Sequence, residues 1–445
     1  MRFFVLGDNR RLSNFIAVLI SERSSYLSRH KTRRLELRVH RKKDFLKVGK
    51  DMKKNKSSKR NDFLSNSLLR AIKRPLKYYI HRKVNLEILK NDAKQDKGPF
   101  LIIGNHVNNY DPLVALSLVK PAVKFVASEV TFQSRTARFF MNIIHTIPIA
   151  KRNNDIRSVK RLIKEVKMGN SIGIFPEGGR TWDGETDELI HSTVKLIKML
   201  KVPVYAMKLE GGYLSHPRWA KNIRKGTQFV TINKMLEKEQ VTTMSEDELF
   251  TTMHDTLYLN EYEWQKDRMI PYKGDALAES IEMLLYYCPK CQSIDTIKSK
   301  GDEFFCTECH TKGRMNVYGF IEGDFKYDNC VDWNKWQKGK LKEQLEQGYH
   351  VNIKLSNVEL LYRNRDEVKR NITCDLHFTN DHLSLTISDE EQIIEYKNMN
   401  SVSITFRTSF TIYIGHKLYQ LKIEPEKHNI SIVYLLDLVN YLRGH

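Results

Sequence analysis

Two residues in the segment Gly104-Asn105-His106-Val107-Asn108-Asn109-Tyr110-Asp111 have the types and spacing to move a proton. An imidazole titrating near ~6.5 can take a proton from an alcohol close to neutral pH. A carboxylate on its other ring nitrogen holds the tautomer and stabilises the imidazolium, as in a Ser-His-Asp triad. Here the serine is missing, so a substrate hydroxyl would take its place. Asp111 can fold back to the His106 ring if the chain turns between them. A second segment, Phe175-Pro176-Glu177-Gly178-Gly179-Arg180-Thr181, combines glycines that admit a close-lying phosphate with the planar fork of Arg180. Glu177 could orient that arginine or bind a substrate hydroxyl. Thr146-Ile147-Pro148-Ile149-Ala150-Lys151-Arg152 sets another arginine after an apolar stretch, and Val202-Pro203-Val204 opens a strand with proline.

The cysteines suggest a different chemistry. Cys288-Pro-Lys-Cys291 and Cys306-Thr-Glu-Cys309 make two Cys-x-x-Cys pairs with 14 residues between them, close to the spacing of a zinc ribbon. Four thiolates on two knuckles satisfy tetrahedral Zn²⁺ and leave no open position, so the expected metal is structural. Six cysteines in 445 residues do not make a disulfide framework. Cys306 to His310 also spells the Cys-x-x-Cys-His of a c-type haem site, which leaves Cys288 and Cys291 unexplained; a redox pair is the other alternative. Cys330 and Cys374 read as core or loop residues.

The elements that must position these groups alternate. Phe100–Ile103, Val123–Ala127, Ser171–Phe175 and Pro203–Leu209 read as strands. Pro112–Val119, Arg135–His145, Ile156–Val166 and Thr193–Leu200 read as helices, with proline in the first turn of the first of them. Strand and helix in alternation imply an α/β domain over 96–284 with a mixed, largely parallel sheet. Ser245 with Glu248 predicts a capping box at the start of a further helix. Residues 285–320 hold the cysteines, and a polar, basic connector comes next. Seven short strands from Val358 to Ile423, then an amphipathic helix over Ile430–Leu442, predict a small β-barrel-like domain at 345–445. The pattern Leu376-His-Phe378-Thr-Asn-Asp-His-Leu383 resembles a strand, turn and strand of pleckstrin-homology (PH) and GRAM-type barrels.

Taken singly, a His-x-x-x-x-Asp is as readily a structural pair, Pro-Glu-Gly-Gly a turn and Arg152 a solvated charge. In this order and at strand ends they become specific. Together they resemble the four blocks of the lysophosphatidate and glycerol-phosphate acyltransferase family: His-x-x-x-x-Asp, Ile-Pro-x-x-x-Arg, Phe-Pro-Glu-Gly-x-Arg-Ser and Val-Pro. The resemblance spans about residues 65–235. It implies that His106 and Asp111 are the catalytic pair and that Arg152, Glu177, Gly178 and Arg180, with Gly179 in the same loop, bind the acceptor's phosphate. Gly179 stands where the family commonly has threonine, and Thr181 where it has serine. The implied reaction moves a fatty acyl group from acyl-CoA or an acyl carrier protein to a lysophospholipid hydroxyl, with 1-acylglycerol 3-phosphate becoming phosphatidate. It needs no catalytic cofactor.

Charge bears on where this happens. Lys and Arg number 74 against 53 Asp and Glu, a net of +21, which favours an anionic membrane surface or nucleic acid as partner. Nucleic-acid binding would call for basic residues interleaved with aromatics on a recognisable module. The basic runs lie mostly near the N-terminus without that arrangement, and they argue against it. Residues 63–95 read as a basic amphipathic helix, Leu68, Leu69, Ile72, Leu76 and Ile80 being set among Arg70, Lys73, Arg74, Lys77 and Arg82. Such a helix either lies on a membrane or packs on the next domain. No apolar run approaches the ~18 to 20 residues that cross a bilayer. The expected place is therefore the cytoplasm, peripheral on the inner face of the cell membrane. Residues 1–62 form a basic leader, with 14 Lys/Arg against 5 Asp/Glu in 1–51. Gly49-Lys50-Asp51-Met52 can be encoded by a purine-rich stretch resembling a ribosome-binding site before a start codon, so translation from Met52 is one reading of it. A reading from another class makes the chain a catalytically inactive zinc-ribbon adaptor that binds lipid or nucleic acid; intact His106, Asp111, Glu177 and Arg180 argue against that loss.

Overall fold

Leu101-Ile102-Ile103 is buried without alternation, as a strand covered on both faces of a parallel sheet must be. In the computed structural model this strand, β2 (Leu101–Gly104), lies at the centre of a seven-stranded sheet. The described residues are 73–445 save 74, 83, 133–137, 139, 140, 142–145, 150–155, 365, 366 and 445. The leader, Met52, the first part of the basic helix, most of the helix expected over Arg135–His145, and Arg152 lie outside them. The chain divides into two units, Met1–Ile72 with Thr131–Thr146, and Lys73–Val130 with Ile147–His445; the second holds all three sheets.

The first sheet contains β1 (Leu86–Asn91), β2, β3 (Val123–Ser128), β4 (Ile147–Ile149), β5 (Ser171–Ile174), β6 (Val204–Glu210) and β7 (Gln228–Leu236). Their order is β1-β7-β6-β2-β5-β3-β4, and only β6 with β7 runs antiparallel, so the mixed, largely parallel sheet is as expected. The helices α1 (Asp111–Leu118), α2 (Ile156–Lys167), α3 (Ser192–Leu200) and α4 (Glu246–Leu257) accompany it. Leu162, Val194, Ile197, Leu249 and Met253 from the last three join Leu101, Ile103, Ile172 and Val204 in one apolar core. α4 starts at the expected capping box: Ser245 Oγ accepts from the Glu248 N–H at 3.2 Å, and Glu248 Oε2 accepts from the Ser245 N–H at 2.8 Å.

The expected helix over 63–95 needs correction. The described chain is helical at 75–82, but Asn85 takes a left-handed φ of 43° and Leu86–Asn91 continues as the edge strand β1, parallel to β7. Leu76 and Ile80 are buried, so this part of the helix spends its apolar side on the protein and leaves Lys77, Tyr78 and Arg82 outside. Among the described residues no helix is long and apolar enough to cross a membrane.

The second sheet is antiparallel, β8 (Ile297–Lys300), β9 (Glu303–Cys306), β10 (Lys312–Met315) and β11 (Ile321–Gly323) in the order β11-β10-β9-β8. The expected polar connector after it is instead largely a 17-residue helix, α5 (Cys330–Glu346). Asn329 caps it, accepting from the Asp332 N–H at 2.9 Å, and Val331, Trp333, Asn334, Gln337 and Leu341 are buried along it. The third sheet is antiparallel, with β12 (Ile353–Asn364), β13 (Glu367–Phe378), β14 (His382–Ile387), β15 (Glu390–Glu395), β16 (Ser401–Thr405), β17 (Ser409–Ile414) and β18 (Lys417–Lys422) in the order β15-β14-β13-β12-β18-β17-β16. Helix α6 (Ile432–Leu442) comes last, with Ile432, Leu435, Leu438 and Val439 buried. These are the strands and closing helix that the sequence pattern calls for.

Candidate active site and cysteine centre

β2 and β5 are parallel neighbours in register, Leu101 beside Ile172 and Ile103 beside Ile174. Their carboxyl ends therefore deliver both motif loops to one edge of the sheet, where open α/β sheets take their ligands. Asn105 fixes the first loop. Its side chain accepts from the Leu209 N–H and donates to the Leu209 carbonyl, both at 2.8 Å, which clamps the end of β2 to β6.

The chain then turns so that Asp111, at the head of α1, meets His106. His106 Nδ1 lies 2.8 Å from Asp111 Oδ2, and the same oxygen accepts from the N–H groups of Val107 at 2.9 Å and Asn108 at 2.8 Å. Asp111 is buried, and its negative charge sits at a helix N-terminus, where the peptide dipoles favour it. Nδ1 held by a carboxylate leaves Nε2 for a substrate. The imidazole ring stacks on Phe175 at 4.4 Å between centroids, and Phe175 stacks on Phe125 at 5.7 Å. Burial holds the imidazole below its ordinary pKa; Asp111 acts against this, and the positive charges of Arg180 and Arg218 add to it. The ring is thus neutral near pH 7, the state a general base requires.

The second loop meets the first directly. The Thr181 N–H donates to the His106 carbonyl at 3.1 Å. Glu177 does not orient Arg180. Its Oε1 accepts from the His106 N–H at 2.6 Å and its Oε2 from the Asp187 N–H at 3.1 Å, so it braces backbone on both loops. Burial, then the charge of Asp187, pushes its carboxyl well above the usual range. Gly178 has a φ of +70°, and a Cβ there would stand 2.8 Å from Ile190 Cδ1, so the turn requires glycine. Gly179 has its nearest such neighbour, Arg218 Nη1, at 3.7 Å. Arg180 is buried, its Nη1 has no hydrogen-bond partner, and burial lowers its pKa to about 10, which leaves it a cation at neutral pH.

The motifs gave no sign of Arg218. Its Nη1 donates to the Arg180 carbonyl at 2.8 Å, its Nε to the Phe406 carbonyl at 3.4 Å and its Nη2 to the Ile404 carbonyl. The guanidinium also lies 4.4 Å over the Trp182 ring. Nor was the polar chain behind the loop foreseen. Asp183 Oδ1 accepts from Thr181 Oγ1 at 3.1 Å, and its Oδ2 accepts from Asn334 Nδ2 on α5 at 2.7 Å.

The four cysteines converge as their spacing implies. Cys288 and Cys291 turn before β8, and Cys306 and Cys309 turn between β9 and β10. Sγ of Cys288 is 3.6 Å from Sγ of Cys309, Sγ of Cys291 is 3.6 Å from Sγ of Cys306, and all four lie within 4.8 Å of one another. These gaps are too long for disulfides, at ~2.05 Å, and suit the edges of a thiolate tetrahedron around a metal with bonds of ~2.3 Å. His310 is exposed and outside this cluster.

A histidine–carboxylate pair and a buried arginine thus stand at the carboxyl edge of a mostly parallel sheet, an arrangement able to take a proton from a hydroxyl beside a bound anion. Residues 83–210 match the family model described as Acyltransferase. The chain is 26% identical over 170 residues to a 1-acyl-sn-glycerol-3-phosphate acyltransferase of Bacillus subtilis, covering 38% of this chain and 81% of that protein. It is 30% identical over 108 residues to a chloroplastic 1-acyl-sn-glycerol-3-phosphate acyltransferase of Arabidopsis thaliana, covering 24% of this chain and 30% of that protein. A crystal structure of the 1-acyl-sn-glycerophosphate acyltransferase of Thermotoga maritima aligns over 48% of this chain and 83% of that chain at 17% identity, with a TM-score of 0.38. Residues 83–210 are thus an acyltransferase domain, and the chain around it is similar to lysophosphatidate acyltransferases.

Proposed function

We propose that this chain moves a fatty acyl group from acyl-CoA or an acyl carrier protein to the free hydroxyl of 1-acylglycerol 3-phosphate, giving phosphatidate. The observation that carries the reading is the 2.8 Å contact of His106 Nδ1 with Asp111 Oδ2 at the strand edge shared with Arg180. His106 Nε2 takes the hydroxyl proton as the oxygen attacks the thioester carbonyl. The carbon–sulfur bond then breaks, and the thiolate leaves with the proton returned from the imidazolium. Asp111 keeps the tautomer and steadies the transient cation. Arg180, a buried cation with an open Nη1, takes the acceptor's phosphate, and Gly178 and Gly179 keep the loop low beneath it. Arg152 is assigned to the same phosphate from its motif alone.

The cysteine centre is read as a zinc ribbon over 285–320, a brace rather than a second site, and the third sheet with α6 as a PH/GRAM-like domain. The net charge of +21 and the outward Lys77 and Arg82 support attachment to anionic lipid on the inner face of the membrane, where the acceptor resides. The direct test is transfer from a labelled acyl thioester to a panel of lysolipids. His106→Ala should reduce it by about a hundred- to ten-thousandfold with the circular dichroism spectrum unchanged; full activity in that variant would remove the mechanism.

A further inference from the structure

Three arginines are linked through backbone carbonyls where the third sheet touches the acyltransferase domain. Arg180 comes from the loop after β5, Arg218 from the segment between β6 and β7, and Arg407 from the turn joining β16 to β17. Two cross-links fasten that turn in place. Arg218 reaches out to the carbonyls of Ile404 and Phe406 while holding the carbonyl of Arg180, and Arg407 Nη2 reaches back to the Trp219 carbonyl at 2.6 Å. The turn is thus set beside the arginine loop by hydrogen bonds from both sides. Phe406 at its tip has a φ of 60°, a left-handed conformation that a phenylalanine adopts only under such restraint.

The three cations differ in what remains open on them. Every nitrogen of the Arg218 fork donates to a carbonyl, so its capacity is used in fastening the turn. Arg180, nine-tenths buried, has Nη1 without a partner, and Arg407 has its buried Nε without one. Among the described residues none of the three forms a salt bridge. The carboxylates that act on them do so from further away: Asp111 on Arg180, Asp187 on Arg218, and Glu426 and Glu282 on Arg407. Arg407 in turn lowers the proton affinity of Arg180, as like charges close together do. Unpaired buried donors on neighbouring cations are costly unless an anion completes them. A phosphomonoester carries a charge of about −1.5 to −2 near pH 7 and three acceptor oxygens, which suits two forks. A phosphodiester has one charge and two free oxygens, and one fork is enough for it.

We propose that Arg407 is a second phosphate ligand beside Arg180, so that the acceptor's phosphomonoester is bound between the acyltransferase sheet and the third sheet, and phosphodiester lysolipids are disfavoured. This rests on the reading that the acceptor is a lysophosphatidate. Arg218 is a positioning residue that holds the turn carrying Arg407.

The test uses the full chain and three acceptors: 1-acylglycerol 3-phosphate, the phosphodiester lysophosphatidylglycerol, and uncharged monoacylglycerol. Arg407→Gln should raise KM for the phosphomonoester about tenfold or more while kcat stays within about twofold, with far less change for the other two. Arg407→Lys should recover part of the loss, because it restores the charge but not the fork. Combined with Arg180→Lys, the losses should fall short of additive, as they do for groups that share one ligand. Equal losses on all three acceptors would show a structural role and overturn the proposal. Should Arg407→Gln fail to fold, Arg407→Lys decides: a severalfold KM rise confined to the phosphomonoester supports the second ligand, and a uniform change rejects it. Wild-type protein that acylates none of the three sinks the acceptor reading and this assignment with it, whereas wild-type transfer with an unchanged KM in Arg407→Gln sinks only the assignment.

Discussion

Asn334 Nδ2 donates to Asp183 Oδ2 at 2.7 Å, across 151 residues of sequence, and so joins the helix beyond the cysteine centre to the loop after Arg180. Both residues are buried. Gln337 continues the link, donating to Asn334 Oδ1 at 2.8 Å and to the Leu284 carbonyl at 2.9 Å. Replacing Asn334 by leucine should leave a buried carboxylate short of a donor, at a cost of about 1–3 kcal/mol. Thermal unfolding should report the loss, and kcat should fall with it because Thr181 and Arg180 share the loop. An unchanged melting temperature would mean that Asp183 finds water or another donor.

The acid limb of the rate profile reports the imidazole. Burial lowers the pKa of His106, so kcat/KM should lose activity only below the pH at which a free imidazole protonates. Asp111 raises that pKa by stabilising the cation, and Asp111→Asn should therefore move the limb to still lower pH. Maximal activity should drop at the same time by about a thousandfold or more, since the tautomer is no longer held. A limb that moves to higher pH in Asp111→Asn would contradict the pairing.

Gly173 supports the ring stack from behind. A Cβ at this position would come within 2.3 Å of Phe125 Cε1, and Phe125 backs Phe175, on which the His106 ring lies. Gly173→Ala should cost about 1–3 kcal/mol through overpacking and should lower kcat more than it raises KM. Calorimetry and steady-state kinetics on the same preparation separate the two effects.

Metal analysis of protein purified under reducing conditions should find one zinc per chain. Cys306→Ser should lose it, because three thiolates and a hydroxyl bind far more weakly. Transfer should decline in that variant without being abolished, since α5 and Asp183 link the centre to the site without any cysteine entering it. Full zinc content in Cys306→Ser would reject the four-thiolate site.

The motif loops were legible because their chemistry and their strands are local: Phe100–Ile103 and Ser171–Phe175 each run straight into the residues they present. The cysteine knuckles were legible for the same reason. β1 and β7 were not, since β1 comes after a helical pattern with a single buried apolar residue at its start, and β7 alternates its buried residues with Phe229, Thr231 and Asn233 on the other side. α5 was hidden because its inward side includes the amides of Asn334 and Gln337, which read as polar until their partners are known. Arg218 and Arg407 carry no local signal at all. The carbonyls that hold Arg218 to the third sheet come from 186 and 188 residues away.

That separation has a consequence for synthesis. When the ribosome has made everything the family model covers, Arg218 is still to come, and the turn carrying Ile404 to Arg407 is made long after it. A nascent chain stalled before that turn would leave Arg218 without two of its three acceptor carbonyls. The link between the two sheets through Arg218 is therefore completed late, only once the third sheet has emerged.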